Sequence, residues 1–99
     1  RILHPMKREK LSAAEIVAGL GELTGWELKD GRLRREFKFK DFGEAFGFMT
    51  QVALISEKLD HHPNWSNVYN TVIIELYTHD AGGITALDLQ WAAKVSKLR

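Results

Sequence analysis

The stretch from Trp26 to Phe39, WELKDGRLRREFKF, decides the fold of this chain. At its centre, Asp30–Gly31 is a strong signal for a tight hairpin turn, because glycine tolerates positive φ. After the turn, apolar residues fall on one face of an extended chain and charged residues fall on the other. The segments Trp26–Lys29 and Leu33–Phe39 are therefore predicted to be two antiparallel strands joined by this turn.

A second pair of strands is predicted nearer the C-terminus. The segment Asn67–Tyr69 is followed by Val72–Thr78, which is rich in strongly β-favouring residues. A turn is predicted after them, over Asp80–Gly83. Because hairpins connect the strands of each pair, in place of long helical crossovers, the pattern favours an antiparallel sheet.

Three helices are predicted around these strands, each opened by a capping pattern. In this pattern a residue that can accept from a free backbone N–H is followed three residues later by a carboxylate: Ser12 with Glu15, Asp41 with Glu44, and Thr85 with Asp88. The first helix is predicted to end near Thr24–Gly25. The resulting order, α-β-β-α-β-β-α, predicts an α+β domain with a four-stranded antiparallel sheet and three helices packed on one face.

The long middle helix, from Asp41 to about Leu59, carries apolar side chains around too much of its circumference to face a single core. These side chains are Phe42, Ala45, Phe46, Phe48, Met49, Val52, Ala53, Ile55 and Leu59. We expect this helix either to lie deep in the domain or to share its second face with another subunit.

Composition limits the classes of function. The 99 residues, 44% of them apolar, suffice for one packed domain over residues 1–99. Residues 1–6 have no periodic pattern, and we expect them to be disordered or foreign to the natural protein, which would then start at Met6. A net charge of +1 is too small to indicate binding to nucleic acid or to an anionic membrane. No apolar run approaches the roughly 20 residues of a membrane span, and cysteine is lacking.

Three of the four histidines lie between positions 61 and 79. Imidazole is the side chain best suited to moving protons near neutral pH. His61 and His62 stand at the end of the long helix, where Pro63 stops any helical continuation, and His79 stands at the end of the last strand. An antiparallel path can bring these two junctions together, so the three histidines are candidates for acid–base chemistry.

Structural explanations for the same residues stay open at this point. Histidines at a helix end also help to satisfy free carbonyls, and a histidine after a strand is often an ordinary surface residue. Asp88 is explained as a capping residue, while Glu57, one helical turn before His61, either orients that histidine or is solvated. Adjacent histidines seldom ligate one ion, and the His-x-His and His-x-x-x-His spacings are lacking, so we predict no metal site.

Together these residues form a longer pattern: Glu57, three residues, His61-His62-Pro63, five residues, Tyr69, nine residues, His79, eight residues, Asp88. In residue type and spacing this pattern resembles the signature of the pterin-4a-carbinolamine dehydratases. The resemblance extends from about Leu11 to Val95, and it includes the segments Phe37–Phe39 and Ala45–Met49. A signature of several parts with fixed gaps is far more specific than any single pair within it.

The resemblance implies an enzyme that dehydrates 4a-hydroxytetrahydrobiopterin, a pterin-4a-carbinolamine, to quinonoid dihydropterin and water in tetrahydrobiopterin recycling. It implies no metal and no organic cofactor, because the pterin is the substrate. The implied catalytic acids and bases are His61, His62 and His79. The implied pterin-binding residues are Asp60, His61, His62, Tyr77, Thr78, His79 and Asp80, and Glu57 and Asp88 would orient histidines. Trp65, just beyond Pro63, is expected to add an aromatic wall to the same site.

Partners are implied in the same way. Family members associate as dimers and tetramers, which suggests a homodimer or homotetramer and agrees with the two-faced middle helix. Animal members also serve as dimerisation cofactors for a homeodomain transcription factor. A helix-mediated coactivator module is therefore the alternative function, although no residue of this chain supports it. We expect a cytoplasmic location, with the nucleus as the alternative, and no direct contact with nucleic acid or membrane.

Overall fold

The computed structural model describes residues 9–99 of the chain, so the expectation for residues 1–6 falls outside the described residues. The elements follow the predicted order α-β-β-α-β-β-α. They are α1 (Ala13–Leu20), β1 (Glu27–Lys29), β2 (Arg32–Lys38), α2 (Phe42–Leu59), β3 (Asn64–Val68), β4 (Thr71–Leu76) and α3 (Ala86–Ser96). A short 3₁₀ turn, His79–Ala81, lies between β4 and α3.

The four strands form one antiparallel sheet in the order β1-β2-β4-β3. The Asp30–Gly31 hairpin joins β1 to β2, and both of its residues have positive φ, 51° and 77°. This is the conformation that favours aspartate followed by glycine in a two-residue turn. In the centre of the sheet, Leu33 is paired with Leu76 and Phe37 with Val72. The predicted α+β architecture is confirmed.

One face of the sheet carries the core. Burial alternates along β4, while on β2 Leu33 and Phe37 are the buried residues. These buried side chains join those of the helices in one hydrophobic cluster. Trp91 on α3 is fully buried and meets the Trp26 ring edge-on at 6.4 Å. Phe48 on α2 packs against Phe37 at 4.7 Å. The helices therefore cover a single face of the sheet, as the sequence predicts.

Two predicted boundaries are wrong by three residues or more, and β4 ends at Leu76, two residues before the predicted Thr78. Helix α1 ends at Leu20, with Gly21 as its C-cap, and not near Thr24–Gly25. Glycine is a poor helix former, and the turns that follow bring Leu23 into the core. Strand β3 begins at Asn64 and not at Asn67, because its start is set by pairing along β4, a tertiary contact that local propensity does not report.

The described helices include none that is long and apolar enough to cross a membrane.

Candidate active site

The end of α2 and the end of β4 meet at one edge of the domain, where they form an open depression of about 250 Å³. Its lining consists of Asp60, His61, His62, Tyr77, Thr78, His79 and Asp80. These are seven of the eight residues that the sequence proposes for pterin binding. Both junctions that carry histidine therefore lie at the same place, as an antiparallel path allows.

The chain leaves α2 through a left-handed residue. Asp60 has a φ of 52°, and its backbone N–H donates to the carbonyls of Ser56 and Glu57. Aspartate is one of the residue types that enters this region most readily. The reversal lets the next two residues differ completely in exposure: His61 is buried, whereas His62 is exposed. Strand β3 then starts directly after Pro63.

His61 is held inside the domain by Asp88. The residue is 6% exposed, and its Nε2 lies 2.5 Å from Asp88 Oδ1. The second oxygen of Asp88, Oδ2, accepts from the Thr78 hydroxyl at 2.7 Å and from the Thr85 backbone N–H at 2.9 Å. Asp88 itself is fully buried. The sequence leaves open whether Asp88 caps α3 or contacts a histidine, and in the structure one of its oxygens accepts from the cap backbone while the other lies against His61.

His62 is held from the other side, by Glu57. Its Nε2 lies 2.7 Å from Glu57 Oε1, and the two side chains are 55% and 79% exposed. The sequence suggests His61 as the partner of Glu57, and the structure corrects this. Since the left-handed Asp60 directs His61 into the core, His62 is the imidazole that remains beside the last turn of α2.

His79 lies on the opposite wall of the depression and is exposed. The Tyr77 ring meets it edge-on, with the ring centroids 5.2 Å apart and an interplanar angle of 78°. Tyr77 is covered in turn by the Arg32 guanidinium, 5.2 Å from the ring centroid. The loop is closed by the backbone N–H of Thr78, which donates to the Gly83 carbonyl at 3.0 Å. The wall that carries His79 is thus built from an aromatic contact and a tight turn.

Trp65 lies apart from this group. It lines a separate depression with Asn64, Ser66, Ile73 and Glu75, because it belongs to β3, where it is paired with Ile74 inside the sheet. Conversely, the hydroxyl of Thr78 has a role that sequence reasoning missed, since no spacing rule links it to Asp88 ten residues later.

The arrangement is suited to moving protons. Two imidazoles and two carboxylates at the depression are exposed, and a third imidazole is backed by a buried carboxylate. Imidazole side chains can donate and accept protons near neutral pH, and carboxylates beside them can fix their orientation. Within residues 9–99, no three histidine, aspartate or glutamate side chains are grouped so that they could hold a metal ion.

The chain matches one family of known proteins along nearly its whole described length. The family model described as pterin 4 alpha carbinolamine dehydratase matches residues 9–98 of the chain. A Mesorhizobium japonicum protein named "Putative pterin-4-alpha-carbinolamine dehydratase" is 58% identical over 93 residues, which span 92% of this chain and 95% of that protein. A Solibacter usitatus protein of the same name is 56% identical over 89 residues, 90% of this chain and 94% of that protein.

Solved structures share the fold. The transcriptional coactivator/pterin dehydratase from Brucella melitensis superposes with a TM-score of 0.88 at 47% identity, covering 91% of this chain and 98% of that one. A pterin dehydratase-like protein described as a RuBisCO assembly factor in the alpha-carboxysome has a TM-score of 0.62 at 24% identity, covering 74% of this chain and 84% of that one. At this identity the similarity shows the fold alone. The α+β domain with its histidine-lined depression is a pterin dehydratase fold. This chain belongs to the pterin-4a-carbinolamine dehydratase family.

Proposed function

We propose that the protein dehydrates pterin-4a-carbinolamines, with 4a-hydroxytetrahydrobiopterin as the substrate in tetrahydrobiopterin recycling, by histidine general acid–base catalysis. The observation that supports this proposal best is the convergence of His61, His62 and His79 on one depression from two separate junctions. Membership of the dehydratase family supports the same reaction. The pterin is the substrate, and the proposed reaction uses no further cofactor.

The reaction needs one proton delivered and one removed. The bond between C4a and its hydroxyl oxygen breaks, and the oxygen gains a proton and leaves as water. The adjacent ring nitrogen supplies the electron pair for a new double bond to C4a and loses its own proton. Nothing is oxidised or reduced. Positioned acids and bases whose pKa lies near the ambient pH typically accelerate such steps about 10²–10⁴-fold.

The three histidines differ in which nitrogen they can offer. The Nε2 of His61 is occupied by Asp88, which leaves Nδ1 for chemistry at the depression. The Nε2 of His62 is occupied by Glu57, whereas the ring of His79 is held by the edge of Tyr77. We assign His61 and His79 as acids near the 4a-hydroxyl, and His62 as the base or as a partner of the pterin ring.

The remaining lining residues suit the polar edge of a pterin. Asp60 and Asp80 each contribute a carboxylate to the lining of the depression, and Thr78 lines it as well. Carboxylates and carbonyls accept hydrogen bonds from ring amide and amino groups. We propose that Asp60–His62 and Tyr77–Asp80 hold this edge, which would direct C4a toward the imidazoles.

Stopped-flow absorbance of 4a-hydroxytetrahydropterin breakdown tests the proposal. The uncatalysed rate is subtracted, and the native protein is compared with His62→Ala and His79→Ala. Both side chains are exposed, so these variants should keep the far-ultraviolet circular dichroism of the native protein while acceleration falls about 10²-fold or more. His4→Ala, at the one remaining histidine, is the matched control. A folded native protein that accelerates nothing would contradict the proposal.

A second candidate function is supported by α2. Its outward side exposes Phe42 (49%), Phe46 (55%) and Leu54 (68%), while its inward side is buried in the core. Exposed apolar patches on a helix commonly mark protein–protein contacts. We propose self-association through this face as a companion to the enzyme activity. A coactivator role toward a transcription factor is the alternative use of the same face.

A further inference from the structure

Thr78 has a hydroxyl that the proposed chemistry does not use. The residue is 2% exposed, although it stands between Tyr77 and His79, whose rings form one wall of the depression. Its Oγ1 donates to Asp88 Oδ2 at 2.7 Å and lies 3.0 Å from the Thr85 hydroxyl. The Thr78 side chain thus contacts the carboxylate that holds His61.

The hydrogen bonds around Asp88 determine which oxygen is left for His61. An ionised carboxylate only accepts hydrogen bonds. Oδ2 already accepts from the Thr78 hydroxyl and the Thr85 backbone N–H, and Oδ1 lies against His61 Nε2. With the carboxylate as acceptor, Nε2 carries the hydrogen. In the neutral ring Nδ1 keeps its lone pair, so it can take up the proton that His61, as the proposed acid, then delivers. A single tautomer of His61 follows from this arrangement.

Of the two donors to Oδ2, only one belongs to a side chain at hydrogen-bond distance. The Thr85 donor is a backbone N–H, which any residue at the N-cap would supply, and the Thr85 hydroxyl is 3.5 Å from Oδ2. The Thr78 hydroxyl is therefore the side-chain group on which the orientation of the carboxylate depends. Buried polar groups that lose a donor are costly and tend to rearrange.

We propose that Thr78 is a positioning residue, which acts through Asp88 to hold His61 in the Nε2–H tautomer with Nδ1 available at the depression. The consequence for reaction rate rests on the proposed function. The consequence for the tautomer does not, because it is a property of the resting protein. The two parts can be measured separately.

The test compares Thr78→Val, which keeps the shape of the side chain and removes the hydroxyl, with Thr78→Ser, which keeps the hydroxyl. Thr50→Val is the matched control, since the exposed Thr50 donates only to the Phe46 carbonyl on α2. The first readout is the ¹⁵N spectrum of the histidine rings, in which the two tautomers give distinct pairs of shifts. The second is the separate measurement of kcat and KM for carbinolamine breakdown.

In the native protein and in Thr78→Ser, His61 is expected to show the Nε2–H tautomer. In Thr78→Val, the His61 shifts should move toward a mixture of tautomers, and kcat should fall about tenfold with little change in KM, the loss expected for one hydrogen bond to a charged group. Thr50→Val should match the native protein in both readouts. If the valine variant does not fold, Thr78→Ala replaces it in the same two measurements.

Two results would overturn the assignment: a folded Thr78→Val protein with native His61 shifts, or a serine variant that loses as much kcat as the valine variant. A native protein without dehydratase activity, in which Thr78→Val still changes the His61 tautomer, would instead contradict the proposed function and support the positioning role.

Discussion

Glu57 pairs with His62 and leaves His61 to a different carboxylate, Asp88. Helical spacing alone favours the Glu57–His61 pair, since the two residues are one turn apart. The left-handed Asp60 breaks that spacing by ending the helix between them. As a result, one imidazole of the adjacent pair is held at the surface and the other in the core. Removing the surface carboxylate and removing the buried one should therefore change the stability of the fold differently.

Removing the surface anchor should change the folding free energy little. For Glu57→Gln we expect a loss of less than about 0.5 kcal/mol, because ion pairs between exposed side chains contribute weakly. Dehydratase activity should fall modestly, since His62 remains but is no longer held. Urea unfolding and stopped-flow absorbance measure the two effects. A loss of stability well above that of the exposed control Glu36→Gln would contradict the prediction.

Removing the buried anchor should change both properties. For Asp88→Asn we expect a loss of about 3 kcal/mol in unfolding free energy, because a buried charged hydrogen-bonded group loses its partners. The rate of carbinolamine breakdown should fall about 10²-fold as His61 loses its orientation. The measurements are urea unfolding and kcat. For the unfolding free energy alone, the control is Asp80→Asn, at an exposed carboxylate that lines the depression. A variant that is destabilised and fully active would show that Asp88 serves only as a helix cap.

The C-terminal helix is tied to the start of the sheet by Trp26 and Ser96. The indole Nε1 donates to Ser96 Oγ at 2.8 Å, and Trp26 is 7% exposed. Ser96→Ala should therefore cost about 1–2 kcal/mol, the penalty for a buried donor without its acceptor, while activity is retained. Thermal unfolding is the measurement, with Ser66→Ala at an exposed strand position as the control. An unchanged melting temperature would show that solvent replaces the hydroxyl.

The first helix should show a pH-dependent contribution. The backbone N–H of Ser12 donates to Glu15 Oε1 at 2.8 Å, and this bond, with help from the Ser12 hydroxyl, lowers the pKa of Glu15 below its ordinary 4.5. A lowered folded-state pKa stabilises the fold above pH 4.5, and the contribution is lost as pH falls through the lower value.

Glu15→Gln should consequently melt below the native protein near neutral pH, and the difference should narrow as pH falls below 4.5. The measurement is the melting temperature of both proteins from neutral pH to below pH 4.5. The control Glu22→Gln, at an exposed carboxylate beyond the end of α1, should follow the native curve. A constant difference between Glu15→Gln and the native protein at every pH would contradict the prediction.

The outward face of α2 should be required for self-association. The rings of Phe42 and Phe46 contact each other with centroids 5.7 Å apart and are about half exposed. Phe46→Asp places a charge on this face and should dissociate oligomers without unfolding the chain. Light scattering after size-exclusion chromatography measures the mass, and Gln51→Asp, at an exposed polar position of the same helix, is the control. A native protein that is monomeric, or a Phe46→Asp oligomer, would contradict this prediction.

Most of the fold could be predicted because its signals are local. The Asp30–Gly31 turn requires positive φ, and the capping patterns at Ser12 and Thr85 involve residues three apart, so a short window of sequence contains each cause. The boundaries that were wrong depend on distant partners. Strand β3 starts where β4 offers pairing, and α1 stops where Leu23 enters the core.

The sequence by itself determined the order of the elements and the antiparallel pairing, because the causes of turns and helix caps lie within a few positions. The family followed from the resemblance of the longer signature. Of the eight residues expected at the pterin, seven line the depression and Trp65 does not. Only the tertiary structure decided which carboxylate holds which histidine. His61 and Asp88 are 27 positions apart and meet at 2.5 Å because α3 packs beside the end of α2. Their contact depends on packing in three dimensions, and so does the difference in exposure between His61 and His62.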